Sequence, residues 1–176
     1  QRGLALRRRK IVLIGAGNDT TRNATAGGIH ALLEHPDQLN LLAKNPELIP
    51  RACDEILRWS SPVISFLRTC VEDYDLAGTK VKAGETVGIF YPSANRDERV
   101  FEDPYRFDIT RDPNPHVSFG FGAHFCLGTN LARAELKSSI TALLPLLQRL
   151  ELAGEGSRIA HTHVSGYSKL PVRLKQ

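Results

Sequence analysis

One cysteine in this sequence lies among neighbours that make its chemistry matter more than its bulk. Cys126 closes the run Phe119-Gly120-Phe121-Gly122-Ala123-His124-Phe125-Cys126-Leu127-Gly128. Flanked only by Phe125 and Leu127, a cysteine reads as a small buried hydrophobe. Gly120, Gly122 and Gly128 change that reading, because they let the backbone turn tightly and approach a flat surface. A helical pattern starting just after Cys126 aims amide N–H groups and the positive end of a helix dipole at the sulfur, which favours thiolate. Cys53 and Cys70 are the other cysteines and no CxxC pair exists, so ligation of a metal is a better reading than thiol exchange. Zinc wants three or four ligands at close spacing, and only His124 is near. An iron held mainly by a porphyrin needs a single protein thiolate.

Two further groups of residues carry chemistry. Glu55-Ile56-Leu57-Arg58 places a carboxylate and a guanidinium at i and i+3, on one helix face. Alone, such a pair is a surface ion pair worth less than about 1 kcal/mol. Ala16-Gly17-Asn18-Asp19-Thr20-Thr21 puts Asp and Thr inside a helical pattern, where both side chains compete for backbone groups. Local rules are broken in this way where function demands it, although a cap or turn is the alternative. The run Lys10 to Gly17 also has the look of a strand and glycine turn that would cradle a dinucleotide. That fingerprint fails here: Thr20 stands where the third glycine belongs, and Glu34 is followed by His35-Pro36 instead of lying at a strand end. His161 and His163, at i and i+2, are weak evidence for a metal and are taken as surface residues.

The elements that must hold these residues follow from periodicity and punctuation. Residues 11–35 are mostly helical and stop at Pro36; Asp37 to Ala43 is a short helical turn; Pro46 to Ser60 is a helix ended by Ser61-Pro62. From Val63 to Phe90 the pattern becomes short strands with turns at Ala77-Gly78 and Ala83-Gly84. Residues 91–118 form an irregular, packed connection. Thr129 to Leu150 is a helix that Pro145 should kink, and His161 to Leu174 reads as a hairpin.

The 176 residues are 41% apolar and 24% charged, a globular composition that excludes collagen-like and disordered classes. The apolar runs Ile11–Ala16 and Leu143–Leu147 are far shorter than the roughly 18 residues of a membrane span. The net charge of +4 is local. Arg2, Arg7, Arg8, Arg9 and Lys10 supply five of the 23 basic residues, leaving 18 against 19 acidic ones. No aromatic or groove-reading motif accompanies this arm, so no nucleic-acid function is assigned. An odd cysteine count without a secretory signal points to a reducing, cytoplasmic compartment. The absence of any methionine suggests a fragment or part of a longer product.

Taken together, these residues resemble the haem-thiolate monooxygenases of the cytochrome P450 superfamily. The pattern Phe-x-x-Gly-x-(Arg or His)-x-Cys-x-Gly is met at Phe119, Gly122, His124, Cys126 and Gly128. Glu55 and Arg58 match the family's Glu-x-x-Arg, and Pro104-Tyr105-Arg106-Phe107 matches its Pro-x-Arg-Phe. Ala16 to Thr21 resembles the Ala-Gly-x-Asp-Thr-Thr stretch of its I helix.

The resemblance implies the C-terminal haem-binding half of that fold, mainly α with a smaller β part (α+β), with the N-terminal half absent. Residues 1–10 would be a basic lead or truncation segment. Residues 11–176 would be the C-terminal part of a single domain, from the I helix to the C-terminal hairpin. The implied cofactor is haem b (iron protoporphyrin IX), with Cys126 on the iron and Ala16, Phe119 and Gly128 around it. Arg68, His116 and His124 fall where the family places propionate partners. Glu55, Arg58 and Arg106 would form a buried structural triad. Asp19 and Thr20 would pass protons toward iron-bound dioxygen, and Val63, Ile64 and Phe66 would contact an apolar substrate. The implied electron source is NAD(P)H through a ferredoxin reductase and a ferredoxin, and the reaction is insertion of one oxygen atom from O2. Asn18 to Asn23 is similar to actinobacterial lipid- and steroid-oxidising members. The alternative is that the chain alone is an inactive fragment or weak haem binder; more remote is a dinucleotide-binding fold.

Overall fold

The computed structural model describes the backbone of residues 2–176 and the side chains of residues 14–176. The side chains of residues 1–13, and with them the expectation of a separate basic lead at 1–10, lie outside the described residues. Helix α1 spans Arg2–Glu34, 33 residues, or roughly 50 Å at 1.5 Å per residue. Pro36 lacks an N–H and cannot continue that helix, but it suits the first turn of α2 (Pro36–Lys44). A 3-10 turn at Pro46–Leu48 leads into α3 (Ile49–Ser60). Ser61 ends α3 in the left-handed region (φ 40°), with its N–H on the Leu57 carbonyl and its hydroxyl on that of Arg58.

The β part consists of four two-stranded antiparallel ribbons. β1 (Ser65–Thr69) pairs with β4 (Thr86–Phe90), and β2 (Tyr74–Leu76) pairs with β3 (Thr79–Val81). The β2–β3 turn has positive φ at both Ala77 and Gly78, as a two-residue hairpin of right-handed twist requires. A four-residue helix, α4 (Tyr91–Ala94), opens the irregular connection that runs to α5 (Thr129–Leu147). Pro145 lies within the last turn of α5, and the helix ends two residues later. The tail differs from the single hairpin expected between His161 and Leu174. β7 (Tyr167–Lys169) pairs back to β6 (Ser157–Arg158), and β8 (Val172–Leu174) pairs back to β5 (Leu150–Leu152). Alternation within 161–174 shows that strands exist there, but it cannot reveal that their partners lie upstream.

The core is helical. Ala31 and Leu32 of α1, Leu42 of α2, Ala52 and Ile56 of α3 and Ile140 of α5 are fully buried around Phe107 and Ile109 of the connection. α1 and α3 meet closely because α1 offers no side chain there. A Cβ on Gly28 would lie 2.8 Å from Ile56 Cγ2, and one on Gly27 would lie 2.6 Å from Ser60 Cβ. Burial stops part-way along α1: Asn23 to Leu32 is largely enclosed, whereas Ile14 to Asp19 is exposed. Asp19 closes that exposed stretch and Thr20, half-buried, follows it.

Candidate functional site

The framework behind the site is an ion pair with no access to solvent. Glu55 and Arg58 are both fully buried, one helical turn apart in α3. Arg58 Nε and Nη2 each donate to a Glu55 oxygen at 2.7 Å. Its remaining N–H groups reach the carbonyls of Asn95 (2.9 Å), Pro104 (2.8 Å) and Arg106 (3.0 Å), so all five donors are used. Glu55 in turn accepts the Asp108 N–H at 2.9 Å and the Asn114 amide at 3.0 Å. The expected triad is corrected at its third member. The Arg106 side chain is exposed and only its carbonyl takes part. The guanidinium that approaches Glu55 belongs to Arg111, whose Nε lies 3.4 Å from Oε2 while its Nη1 holds the Glu102 carbonyl at 2.7 Å.

Asn95, fully buried, connects this framework to the cysteine loop. Its amide donates to the hydroxyls of Ser61 and Ser118 at 2.9 Å, and its oxygen accepts the Val117 N–H at 2.8 Å. The Ser118 hydroxyl donates to the Leu57 carbonyl at 2.8 Å. Asn95 and Ser118 are functional in this sense yet absent from the sequence-based expectations; a lone Asn in a polar connection gives no signal of burial.

Beyond Ser118 the chain turns back on itself. Gly120 and Gly122 take φ of +70° and +66°, values that glycine adopts without strain. The Cys126 N–H closes the loop onto the Phe119 carbonyl at 2.9 Å. Thr129, the first residue of α5, donates its hydroxyl to the Cys126 carbonyl at 2.7 Å. Cys126 is thus fixed from both sides through its backbone, while residues 121–128 remain exposed.

The cysteine faces a cavity of about 420 Å³. Ala16, Asp19 and Thr20 of α1 line it, as do Val63 and Phe66 near β1 and Phe119, His124 and Cys126 of the loop. The structure therefore brings eight of the expected site residues to one cavity. Thr20 donates its hydroxyl to the Ala16 carbonyl at 2.7 Å, and Asp19 Oδ1 pairs with Arg22 at 3.2 Å, with both partners more than half exposed. Tyr91, Ser118, His163 and Val164 also line this cavity and were not expected there.

Four expected residues are placed elsewhere. Arg68 lies on the Phe66 side of β1, its guanidinium 6.0 Å from that ring and its Nη1 on the Leu67 carbonyl. Gly128 is next to the sulfur without lining the cavity: a Cβ there would lie 3.9 Å from Cys126 Sγ, an ordinary contact distance. Ile64 faces a larger, polar groove of about 1330 Å³ shared with His30, Arg96 and Arg158. His116 is turned to Asp54: its Nε2 is 3.4 Å from Oδ1, its Nδ1 accepts the Ser118 N–H, and its side chain is almost wholly buried. Burial alone would raise the Asp54 carboxyl, but His116 and Arg133 outweigh it and hold it below the usual carboxylate value. Among the described residues, no group of three or more His, Cys, Asp or Glu side chains is placed to hold a metal ion unaided.

Comparison with known proteins gives a consistent result. The family model described as cytochrome P450 matches residues 42–163. The curated relative named cytochrome P450-terp, from Pseudomonas sp, is 45% identical over 164 residues, covering 93% of this chain and 38% of that protein. A steroid C26-monooxygenase of Rhodococcus jostii (strain RHA1) is 46% identical over 166 residues, covering 94% of this chain and 35% of the relative. The solved structure of cytochrome P450-153 from Novosphingobium aromaticivorans superposes with a TM-score of 0.89 at 42% identity, over 94% of this chain and 42% of that one. The chain therefore spans about two fifths of the length of the proteins it matches.

Proposed function

This chain belongs to the cytochrome P450 family, and on that premise we propose that it forms the thiolate-bearing part of a monooxygenase acting on an apolar organic substrate. The activity is assigned to a protein of the relatives' length containing these residues, with residues 11–176 as the C-terminal part of its single domain. The family's cofactor is haem b, and the residues present fit it. The cavity offers one thiol in a largely apolar wall and no cluster able to hold a metal alone, the donor set suited to an iron already carried by a macrocycle. Held there, haem would supply the activation of dioxygen, one atom of which would enter a C–H bond of the substrate while the other left as water with two electrons and two protons.

Each residue's part follows from its place in the cavity. Cys126 would hold the iron, its backbone anchored at the Phe119 carbonyl and at Thr129. His124, lining the cavity, and Arg68, on the Phe66 side of β1, are suited to the propionate carboxylates. Thr20 holds a proton at Oγ1, and the exposed Asp19 carboxylate can take protons from water and return them toward that hydroxyl. Val63 and Phe66 line the cavity with apolar side chains suited to an apolar substrate. Electrons would come from NAD(P)H through a reductase and a ferredoxin.

The observation that carries this reading is that Cys126, Asp19 and Thr20 line one cavity. It is tested by recording the Soret band of the reduced, CO-bound protein at full length. A thiolate-type red shift is expected. Cys126→Ala should abolish it, and Thr20→Val should keep it while lowering product formation by about 100-fold or more, the usual scale of a lost proton donor. A Cys126→Ala protein that retained the shift would refute the ligand assignment.

A further inference from the structure

His116, expected beside the haem carboxylates, does not line the cysteine cavity. Its Nδ1 accepts the Ser118 N–H at 3.3 Å, so the ring hydrogen sits on Nε2, which lies 3.4 Å from Asp54 Oδ1. Arg133, in the second turn of α5, reaches the same carboxylate oxygen with Nε at 3.0 Å and Nη2 at 2.9 Å. Asp54 is the neighbour of Glu55 in α3, so the buried framework fixes where its backbone stands.

Both partners of Asp54 also flank one aromatic ring, that of Phe119. The Arg133 guanidinium lies 5.2 Å from the ring centroid, within cation–π range, and the His116 ring lies 5.9 Å away. Phe119 in turn adjoins the thiol. Its carbonyl accepts the Cys126 N–H at 2.9 Å, and both residues line the same cavity. A partly exposed ion pair adds little to stability. What Asp54 and Arg133 fix instead is the position of one negative and one positive charge beside the cysteine loop. Charge and hydrogen bonding around a ligand set how readily its metal accepts an electron.

We propose that Arg133 and Asp54 set the reduction potential of the haem iron that Cys126 holds. Arg133 raises it through the charge held against Phe119, and Asp54 lowers it while keeping that guanidinium in place. Neither residue lines the cavity, so both are positioning residues. The step they govern is the gain of one electron that converts ferric haem to ferrous. This rests on the haem-thiolate reading above.

The test is an anaerobic dithionite titration of the haem-loaded protein at full length, read as the ratio of ferrous to ferric haem at one fixed solution potential. Arg133→Gln should lower that ratio about fivefold, the scale of one partly exposed charge removed from beside the site. Asp54→Asn, which keeps an acceptor for Arg133, should raise it by a similar factor. The double variant, with both charges gone, should lie within about twofold of the unaltered protein. Opposite signs are the mark of charge, because a loosened loop would move both single variants the same way. Arg133→Lys keeps the charge without the forked contact and should also stay within about twofold, which holds the test open if the double variant folds poorly. Shifts of one sign, no shift in either single variant, or a ratio for Arg133→Lys as low as that for Arg133→Gln would overturn the assignment. The CO-bound Soret band of the same samples separates the two readings. Its absence in the unaltered protein is a failure of the haem-thiolate proposal, whereas an intact band with unmoved ratios is a failure of Arg133 and Asp54 alone.

Discussion

Arg58 has no spare donor, and its partner Glu55 has no water to fall back on. Arg58→Ala should therefore cost about 3–5 kcal/mol in denaturant unfolding, because it strands a buried carboxylate. The two downstream arginines should differ. Arg106→Ala removes an exposed side chain and should change stability by less than about 0.5 kcal/mol. Arg111→Ala strips donors from the Glu102 carbonyl and a cation from Glu55, and should cost about 1–3 kcal/mol. A larger loss for Arg106→Ala would restore the sequence-based assignment. The reason motif reading chose wrongly is physical. Both arginines lie within reach of α3 along the chain, and only the backbone path of residues 104–111 decides which side chain folds inward. Cys126, Glu55 and Arg58 were legible because their chemistry constrains both residue type and spacing. Asn95 and Ser118 were not, since each owes its place to a chain reversal that brings distant segments together.

At the scale of elements, the C-terminal ribbons are tied to α1 through an aromatic latch. His30 of α1 stacks on Tyr167 of β7 at 4.9 Å and bonds Glu34 at 3.0 Å, while Arg158 of β6 lies over the Tyr167 ring and bonds its hydroxyl at 2.8 Å. Burial pushes the His30 imidazole below 6.5; Glu34 opposes this, and Arg158 and His35 add to it. The folded protein thus holds the neutral ring more strongly than the unfolded chain does. The resulting stabilisation is complete above pH 6.5 and is lost as pH falls below that value. Thermal unfolding midpoints should decline on acidification through this window, and His30→Gln should flatten that part of the profile. An unchanged slope would remove His30 as its source. The helices around this latch were readable from periodicity and from Pro36, Pro46 and Pro62. The strand partners were not, because period-two alternation identifies a strand without naming its neighbour.

At the scale of the molecule, the apolar surface is unevenly distributed. Phe121, Phe125, Leu127 and Leu131 are all more than half exposed in and just after the cysteine loop, and Ile14 of α1 is 71% exposed. Patches of this kind mark surfaces that other protein covers or that aggregate. The 176-residue chain by itself should self-associate in sedimentation experiments, and adding haem should reduce this. A monodisperse monomer would show that the patch is tolerated in water. Among the described residues no helix is long and apolar enough to cross a membrane, so these side chains are not part of a helical span.

The guanidinium of Arg58 has one more consequence. Three of its contacts are main-chain carbonyls, at Asn95, Pro104 and Arg106, and every amino acid carries the same carbonyl. Three points on the path of this irregular stretch are thus held by a single side chain, in a manner indifferent to the residue types at those points. Its surface residues are free to diverge without disturbing the route, while one change far upstream in α3 would unravel it.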